Sequence, residues 1–287
     1  MKFLTALISI AFAPLLATAT AQQDTAANAV KKTTLTVAVL ANTNINYYGQ
    51  AITEKLPYVL LNATLRLPFG LYFSAGSYKL LNYGSGISAT DLGIGFDYQI
   101  SEALELDATY TRSFYPENSP LLQASNENNI NFTANYTWSA LESSISTDFA
   151  FGQEKDVFLS FSNAKEILLG SFFSDKNTFY VAPAIELVAG TRHFYDTYIV
   201  AKNQRDKANG KAPSAPGNSG IAGKTETTTL PNNNFSLLAY NFKLPLSLNR
   251  ASYIAEISYQ YSILGARSEQ ALSRQQSYFG LAFYYQF

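Results

Sequence analysis

The last nine residues of the chain alternate between large apolar side chains and side chains that are small or can form hydrogen bonds. The large apolar positions are Phe279, Leu281, Phe283, Tyr285 and Phe287. Successive side chains of a β-strand point to opposite faces, so this segment has one apolar face and one mixed face. The pattern predicts a terminal β-strand whose apolar face must be covered by something equally apolar.

The same alternation recurs along the whole chain, in segments of roughly ten residues. The first of these segments places Leu35, Val37, Val39, Ala41, Ile45 and Tyr47 on one face. Apolar faces are predicted in twelve segments: 35–47, 59–67, 71–80, 92–100, 104–110, 130–138, 145–151, 157–161, 179–187, 238–244, 253–263 and 279–287. The sequence therefore predicts an all-β chain of about 12 strands, with 10 or 14 as alternatives.

The connections between these segments alternate in length. Short turns are predicted near Pro68, Ser101, Ser139 and Asn249, and longer polar connections at 82–90, 116–128, 190–234 and 264–275. This alternation indicates an antiparallel up-and-down sheet with both ends of the chain on the same side. The segment 163–176 fits worst, because it is too long for a turn and could extend a strand, form a short interfacial helix or fold inside. Pro183 is expected only at an edge or a bulge.

The front of the chain indicates export. Lys2 precedes an apolar run over 3–16, and the small residues Ala19 and Ala21 follow it, as in a secretory signal peptide cleaved after Ala21. A membrane-anchoring helix is the weaker alternative, because the run is short and contains Pro14. The predicted organisation is a signal peptide at 1–21, a periplasmic lead-in at 22–33 and one β-barrel domain at 34–287. Its long polar outer loop covers about 190–234, for which an interdomain linker is the alternative.

A C-terminal strand that ends in Phe287, with aromatic residues at alternate positions before it, resembles the terminal strand of Gram-negative outer-membrane β-barrels. The resemblance implies a single antiparallel up-and-down transmembrane β-barrel with both termini in the periplasm. It also implies contact with outer-membrane lipid, and it makes the five apolar residues of 279–287 a signal for the barrel-assembly machinery. A mean hydropathy of −0.04 and 14% aromatic residues suit a wall with one face in lipid and the other in water.

Other classes of function find little support in the composition. The chain has no cysteine, one histidine and a net charge of −1, so we predict no metal site, no cofactor and no nucleic-acid partner. His193 with Asp196 superficially resembles the Asp-His pair of barrel proteases. However, neither the His-x-Ser-Asn-Gly run of barrel phospholipases nor a convincing acidic pair to match the proteases is found. We interpret His193 as a rim residue and predict no catalytic residue. The oligomeric state does not follow from the sequence.

Charged residues on the faces opposite the apolar ones are the candidates for lining a barrel interior. They are Arg66, Asp97, Asp107, Asp148, Glu186, Lys243 and Glu256. Acids outnumber bases, which in a pore favours cations or neutral polar solutes; alternatively, these charges pair and fill a small barrel. The sequence therefore predicts a porin-like passive channel for small polar solutes. A closed barrel with a structural, adhesive or surface-binding role through its outer loops is the alternative, and a barrel hydrolase a further one.

Overall fold

The computed structural model describes residues 32–49, 55–117, 119–171, 176–193, 235–265 and 274–287. The predicted signal peptide, most of the 22–33 lead-in, most of the 190–234 loop and Asp196 lie outside these residues, so those predictions stay predictions. The described strands are β1 (Thr34–Asn42), β2 (Tyr58–Arg66), β3 (Leu71–Leu80), β4 (Ala89–Gln99), β5 (Leu104–Phe114), β6 (Asn128–Thr137), β7 (Glu142–Phe151), β8 (Lys155–Ala164), β9 (Ile167–Ser171), β10 (Thr178–Val181), β11 (Ala184–Gly190), β12 (Ser236–Arg250), β13 (Tyr253–Leu264) and β14 (Gln275–Gln286).

Twelve of these strands form one closed antiparallel barrel. Strands β1 to β7 each pair with the next strand, β8 pairs with β11, and β11 pairs with β12. Strands β12, β13 and β14 then follow in order, and β14 pairs with β1. The closure leaves no open edge in this ring, which satisfies the backbone hydrogen bonds of every strand. A 3-10 turn (Leu122–Ser125) lies between β5 and β6. The predicted all-β fold with about 12 barrel strands is confirmed. In the described part of the chain, no helix combines the length and the hydropathy that a membrane span requires.

The barrel has two distinct ends. One end, which we call the turn end, contains the start of β1 and the end of β14. It also contains the short connections 67–70, 100–103, 138–141 and 251–252. The loop end carries 43–57, 81–88, 115–127, 152–154, 191–235 and 265–274. The predicted turns at Pro68, Ser101 and Ser139 coincide with turns of the structure. The last turn lies at 251–252, just after the predicted Asn249, and one loop-end connection, 152–154, is as short as a turn.

The outer surface of the barrel is apolar. Most outward positions of the barrel strands carry apolar side chains, and many of these are large and exposed, such as Phe132 at 60% and Leu281 at 58%. Aromatic rings on this surface meet near the rims, as Tyr136 meets Trp138 with centroids 4.7 Å apart. Apolar surface of this extent is costly in water and stable in hydrocarbon, with aromatic rings favoured at its borders.

The structure corrects the prediction for the first strand. The sequence pattern extends that strand to Tyr47, but β1 ends at Asn42 and the chain turns into the barrel. The side-chain oxygen of Asn44 accepts hydrogen bonds from the backbone N–H groups of Ile45 (2.9 Å) and Leu56 (2.8 Å). This side chain replaces the strand ladder and ties the two limbs of the connection together. Ile45 and Tyr47 are consequently buried in the interior instead of facing outward.

The segment 163–176, which fits the sequence pattern worst, is an extension of the barrel. Strand β8 ends at Ala164, and β9 and β10 form a hairpin that continues beyond the turn end. Strand β12 is longer than its neighbours, and its residues Leu246–Asn249 pair with β10 after its earlier part has paired with β11. Pro183 lies in the break between β10 and β11, where its missing N–H costs no ladder hydrogen bond.

Candidate functional site in the barrel interior

A charged cluster occupies the interior wall at the turn end. Arg66 on β2 forms an ion pair with Asp97 on β4, and its guanidinium lies over the ring of Tyr72, 5.0 Å from the centroid. The Tyr72 hydroxyl donates to Asp107 (2.8 Å), and Thr109 donates to the other oxygen of the same carboxylate (2.9 Å). The structure thus brings together three of the predicted interior residues, Arg66, Asp97 and Asp107.

A second cluster crosses the wall formed by β11, β12 and β13. The ammonium of Lys243 lies 2.9 Å from the carboxylate of Glu186. Asn241 donates to the same carboxylate (2.7 Å), Ser262 donates to the side-chain oxygen of Asn241 (2.6 Å), and Gln260 donates to Ser262 (2.8 Å). All five side chains are buried. We call this row of side chains the interior relay. It joins the predicted residues Glu186 and Lys243 to polar neighbours that the sequence analysis did not single out.

The two remaining predicted acids have neutral donors as their partners among the described residues. Asp148 on β7 accepts hydrogen bonds from the side-chain amides of Asn131 (2.9 Å) and Asn129 (3.2 Å). Glu256 on β13 accepts one from the hydroxyl of Ser247 (3.1 Å). Both acids are buried, with no cationic side chain within ion-pair distance in the described ranges. Their burial without a cation disfavours the charged form, so they add negative charge to the interior wall only when they are ionised.

The connection between β1 and β2 folds into the barrel and reaches the far wall. The ring of Tyr48 stacks on Phe158 of β8, with centroids 3.6 Å apart and planes at 7°. Tyr47 meets both rings edge-on, at 4.7 Å from Tyr48 and 5.6 Å from Phe158. Asn129 of β6 donates to the Tyr48 hydroxyl at 3.3 Å. Because β8 lies opposite β2 in the ring of twelve strands, these contacts bridge the interior.

We call residues 44–49 the inward segment. Its last residue, Gly49, has a backbone φ of +81°, and a Cβ at this position would overlap the methyl group of Ala239 on β12. Tyr48 also has a positive φ, of 49°. A bulky residue rarely adopts this conformation unless its surroundings hold it there, as the Phe158 stack does here. The inward segment narrows the interior near the loop end.

His193 at the loop end pairs with an acid that the sequence pattern does not identify. Its Nδ1 lies 3.0 Å from Asp156, whose carboxylate is fully buried. The same carboxylate accepts hydrogen bonds from the Thr191 hydroxyl (2.7 Å), the His193 backbone N–H (2.8 Å) and the Asn126 amide (2.9 Å). Asp156 thus anchors the chain that leaves β11, and Asp196, suggested by the sequence, lies outside the described residues. Across the described residues, no group of three or more His, Cys, Asp or Glu side chains could hold a metal ion.

Sequence reasoning missed the aromatic and amide contributions to the interior. Tyr48 stacks on Phe158, and Asp156 binds His193. These partners are distant in the sequence, and the periodicity of a strand does not reveal which distant residues meet. Tyr278, on the mixed face of β14, is buried, and its hydroxyl has no hydrogen-bond partner among the described residues. One local signal was available: a Tyr-Gly step after three asparagines in 42–49 is more typical of a turn than of a strand.

A closed twelve-stranded antiparallel barrel with an apolar exterior and a polar, charged interior wall defines the class of the fold: it is a transmembrane β-barrel. No model of a protein family matches the chain, and no curated protein matches its sequence. Solved structures of outer-membrane proteins resemble it in fold at low sequence identity.

Three of these structures are compared with the chain by TM-score, sequence identity and coverage. The KdgM porin has a TM-score of 0.49 and 9% identity, over 88% of this chain and 99% of that one. An outer membrane channel from Pseudomonas putida F1 has a TM-score of 0.44 and 11% identity, over 92% of this chain and 98% of that one. LpxR from Salmonella typhimurium has a TM-score of 0.45 and 9% identity, over 88% of this chain and 99% of that one.

Proposed function

We propose that the protein is a porin-like channel of the outer membrane for small polar solutes, with both termini on the periplasmic side. The observation that carries the proposal is the placement of charged and amide side chains inside a closed barrel whose outside is apolar. A polar interior wall gives a solute substitutes for its water of hydration.

The balance of interior charge supports a preference for cations and neutral solutes over anions. The cations Arg66 and Lys243 are each held by an acid, Asp97 and Glu186 respectively. Asp148 and Glu256 keep neutral partners only, as described above. At a pH at which Asp148 and Glu256 are ionised, the charges of these six interior residues sum to a negative value, which attracts positive ions and repels negative ones.

Planar-bilayer recording of the purified, refolded full chain tests the channel. In a salt gradient we expect small unitary currents and a reversal potential of the sign that cation selectivity produces. Tyr48→Ala removes the ring that stacks on Phe158, and we expect it to increase the unitary conductance. Tyr98→Ala, which removes an exposed ring from the outer surface, is the matched control and leaves the conductance unchanged. A folded barrel that stays silent in both its native form and the Tyr48→Ala form contradicts the proposal.

A closed barrel with a surface-binding role is the second candidate. The specific observation in its favour is the Tyr47, Tyr48 and Phe158 contact, which joins opposite walls and belongs to a larger apolar cluster inside the barrel. In this case the interior charges act only in stabilising the barrel. Deletion of 200–230 separates the two candidates: lost surface binding with unchanged permeability favours the closed barrel, and a changed conductance favours the channel.

A further inference from the structure

The carboxylate of Asp156 joins two parts of the loop end through its two oxygens. Oδ1 accepts hydrogen bonds from the Thr191 hydroxyl (2.7 Å) and the His193 backbone N–H (2.8 Å), and the Nδ1 of His193 lies 3.0 Å from the same oxygen. Oδ2 accepts a hydrogen bond from the side-chain amide of Asn126 (2.9 Å). One oxygen therefore holds the chain that leaves β11, and the other faces the connection between β5 and β6.

The charge of His193 decides whether this junction contains an ion pair. The Asp156 side chain has no exposed surface, and a cation stabilises an ionised carboxylate in such a position more than a neutral donor does. A protonated imidazole is a cation, whereas a neutral imidazole offers a hydrogen bond only. The His193 side chain is 24% exposed, so it exchanges protons with water. The junction is therefore strongest in acid and weakens as the pH rises through the range in which histidine loses its proton.

The other charged or titratable side chains around the pair lie on the segments that surround it: Tyr47 of the inward segment, Glu127, Glu154, Lys155 and Arg192. Glu127 forms an ion pair with Arg112 at 2.7 Å. Lysine and arginine keep their charge between about pH 5 and pH 8, and carboxylic acids and tyrosine ordinarily titrate outside that range. His193 is the only histidine of the chain. It is therefore the side chain of this group that we expect to change its charge near neutral pH.

Asn126 connects the junction with the inward segment. The backbone N–H groups of Gln153 and Glu154 donate to the Ser125 carbonyl (2.8 and 3.2 Å), which fixes Asn126 beside the start of β8. The side chains of Asn126 and Tyr47 are hydrogen-bonded to each other. Asn126 thus binds the Asp156 carboxylate and the inward segment together.

Strand β8 provides a second connection. Phe158 follows Asp156 by two residues, so the two side chains point to the same face of the strand. Tyr48 stacks on the Phe158 ring, and Tyr47 meets that ring edge-on. A change at Asp156 therefore reaches the aromatic contact that narrows the interior.

We propose that His193 and Asp156 form a pH-sensitive latch at the loop end of the barrel: protonated His193 holds the inward segment against β8, and loss of the proton releases it. The inference deepens the proposed channel function, and its effect on permeability rests on that function, because the inward segment narrows the channel.

Hydrogen exchange of the refolded full chain in detergent reports on the latch without a current. The Thr191 amide donates to the Val157 carbonyl (3.0 Å) and the His193 amide to Asp156 (2.8 Å), so opening of the latch exposes both. After correction for intrinsic rates, we expect both amides to exchange about fivefold faster at about pH 8 than at about pH 5.5. This factor corresponds to the difference between a charge-assisted and a neutral hydrogen bond.

Three variants make the result specific. His193→Asn places an amide nitrogen near the position of Nδ1 but cannot take up a proton, so we expect it to abolish the difference. Asp156→Asn keeps the shape of the acid without its charge, and the same loss is expected. Glu166→Gln is the control, because Glu166 lies at the turn end and its pKa is raised to about 7. It leaves the pH dependence of the two amides unchanged.

Planar-bilayer recording tests the release of the inward segment. Between about pH 5.5 and pH 8, we expect the unitary conductance of the native chain to increase more than that of His193→Asn. Interior acids that ionise in this range act on both chains alike. Tyr47→Phe removes the hydroxyl that is bonded to Asn126, so its amides keep their pH dependence while its conductance behaves like that of His193→Asn. Equal changes of conductance in the native and His193→Asn chains contradict the release.

The latch is overturned if the two amides of the native chain exchange equally at both pH values, or if the difference persists in His193→Asn and Asp156→Asn. The two proposals fail in different ways. The expected exchange pattern in a barrel that passes no current retains the latch and contradicts the channel. A current without any effect of pH on the exchange retains the channel and contradicts the latch.

Discussion

Gly49 of the inward segment lies directly against Ala239 of β12, so closely that a methyl group on Gly49 would overlap the methyl group of Ala239. This contact joins the connection after β1 to a strand three places away around the barrel wall. The contact places the inward segment against the wall that carries the interior relay. A substitution that disrupts this contact can therefore displace the segment without altering a charge.

Gly49→Ala is expected to displace the inward segment and to raise the unitary conductance in bilayers. The new methyl group cannot fit beside Ala239, and the positive φ adds strain of about 1 kcal/mol. Gly84→Ala is the matched control, since Gly84 has a positive φ of +57° but no neighbouring atom within 4 Å of its added Cβ. It keeps the native conductance. Ala239→Gly in the Gly49→Ala background makes room and returns the conductance towards the native value; equal effects of Gly49→Ala and Gly84→Ala contradict the packing argument.

Lys243→Met is expected to destabilise the barrel by about 3–5 kcal/mol, because it leaves the Glu186 carboxylate buried without its cation. Urea unfolding from detergent, followed by circular dichroism, measures the change. The double variant Lys243→Met with Glu186→Met loses less free energy of unfolding than Lys243→Met alone, because the double change leaves no isolated charge. Lys79→Met, at an exposed lysine that donates to the carbonyls of Gly84 and Gly86, costs less than about 1 kcal/mol. An additive double variant would contradict the ion-pair account.

The β9–β10 hairpin is expected to be more stable in acid than at neutral pH. Burial, and then the nearby charge of Glu142, raise the pKa of Glu166 from 4.5 to about 7. The folded form therefore favours the protonated acid. This stabilisation is fully present below the unfolded pKa of 4.5 and is lost as the pH rises to about 7. Hydrogen exchange of the Leu168 and Tyr180 amides, corrected for intrinsic rates, should show greater protection at about pH 4 than at about pH 8 in the native chain. Glu166→Gln abolishes this difference, and a difference that survives the substitution assigns the effect to another group.

Phe287→Ala is expected to reduce assembly into the outer membrane of cells several-fold while refolding in detergent stays nearly native. The ring is 71% exposed, and the backbone N–H of residue 287 still donates to the Leu35 carbonyl after the substitution. The exposed ring therefore contributes little to the stability of the folded barrel. Phe69→Ala, at a ring of the same end that is 63% exposed, is the control and assembles normally. Equal assembly of the two variants would contradict the role of the C-terminal strand as a signal.

The outer face of this barrel is predictable from the sequence, because a strand that contacts an apolar medium on one side repeats with a period of two. Alternate residues from Leu92 to Ile100 are exposed as the pattern predicts, and so are Phe132, Tyr136 and Trp138. The interior is much less predictable. In the sequence, Ile45 and Tyr47 continue the alternation of the outward residues of β1. In the structure they point inward, because the hydrogen bonds of the Asn44 side chain end the strand and turn the chain into the barrel. The contacts of Phe158 with Tyr48, and of His193 with Asp156, depend on which strands face one another, and periodicity carries no such information.

Every proposal here requires that the exposed apolar face of the barrel contacts hydrocarbon. Trp138 is the only tryptophan of the chain, is 57% exposed and lies on that face at the rim of the turn end. Refolding into vesicles of brominated lipids measures its contact with lipid directly, through quenching of its fluorescence. We expect strong quenching by lipids brominated near the headgroup and weaker quenching by lipids brominated near the chain ends. Fluorescence that no brominated lipid quenches would contradict the membrane wall and every proposal that depends on it.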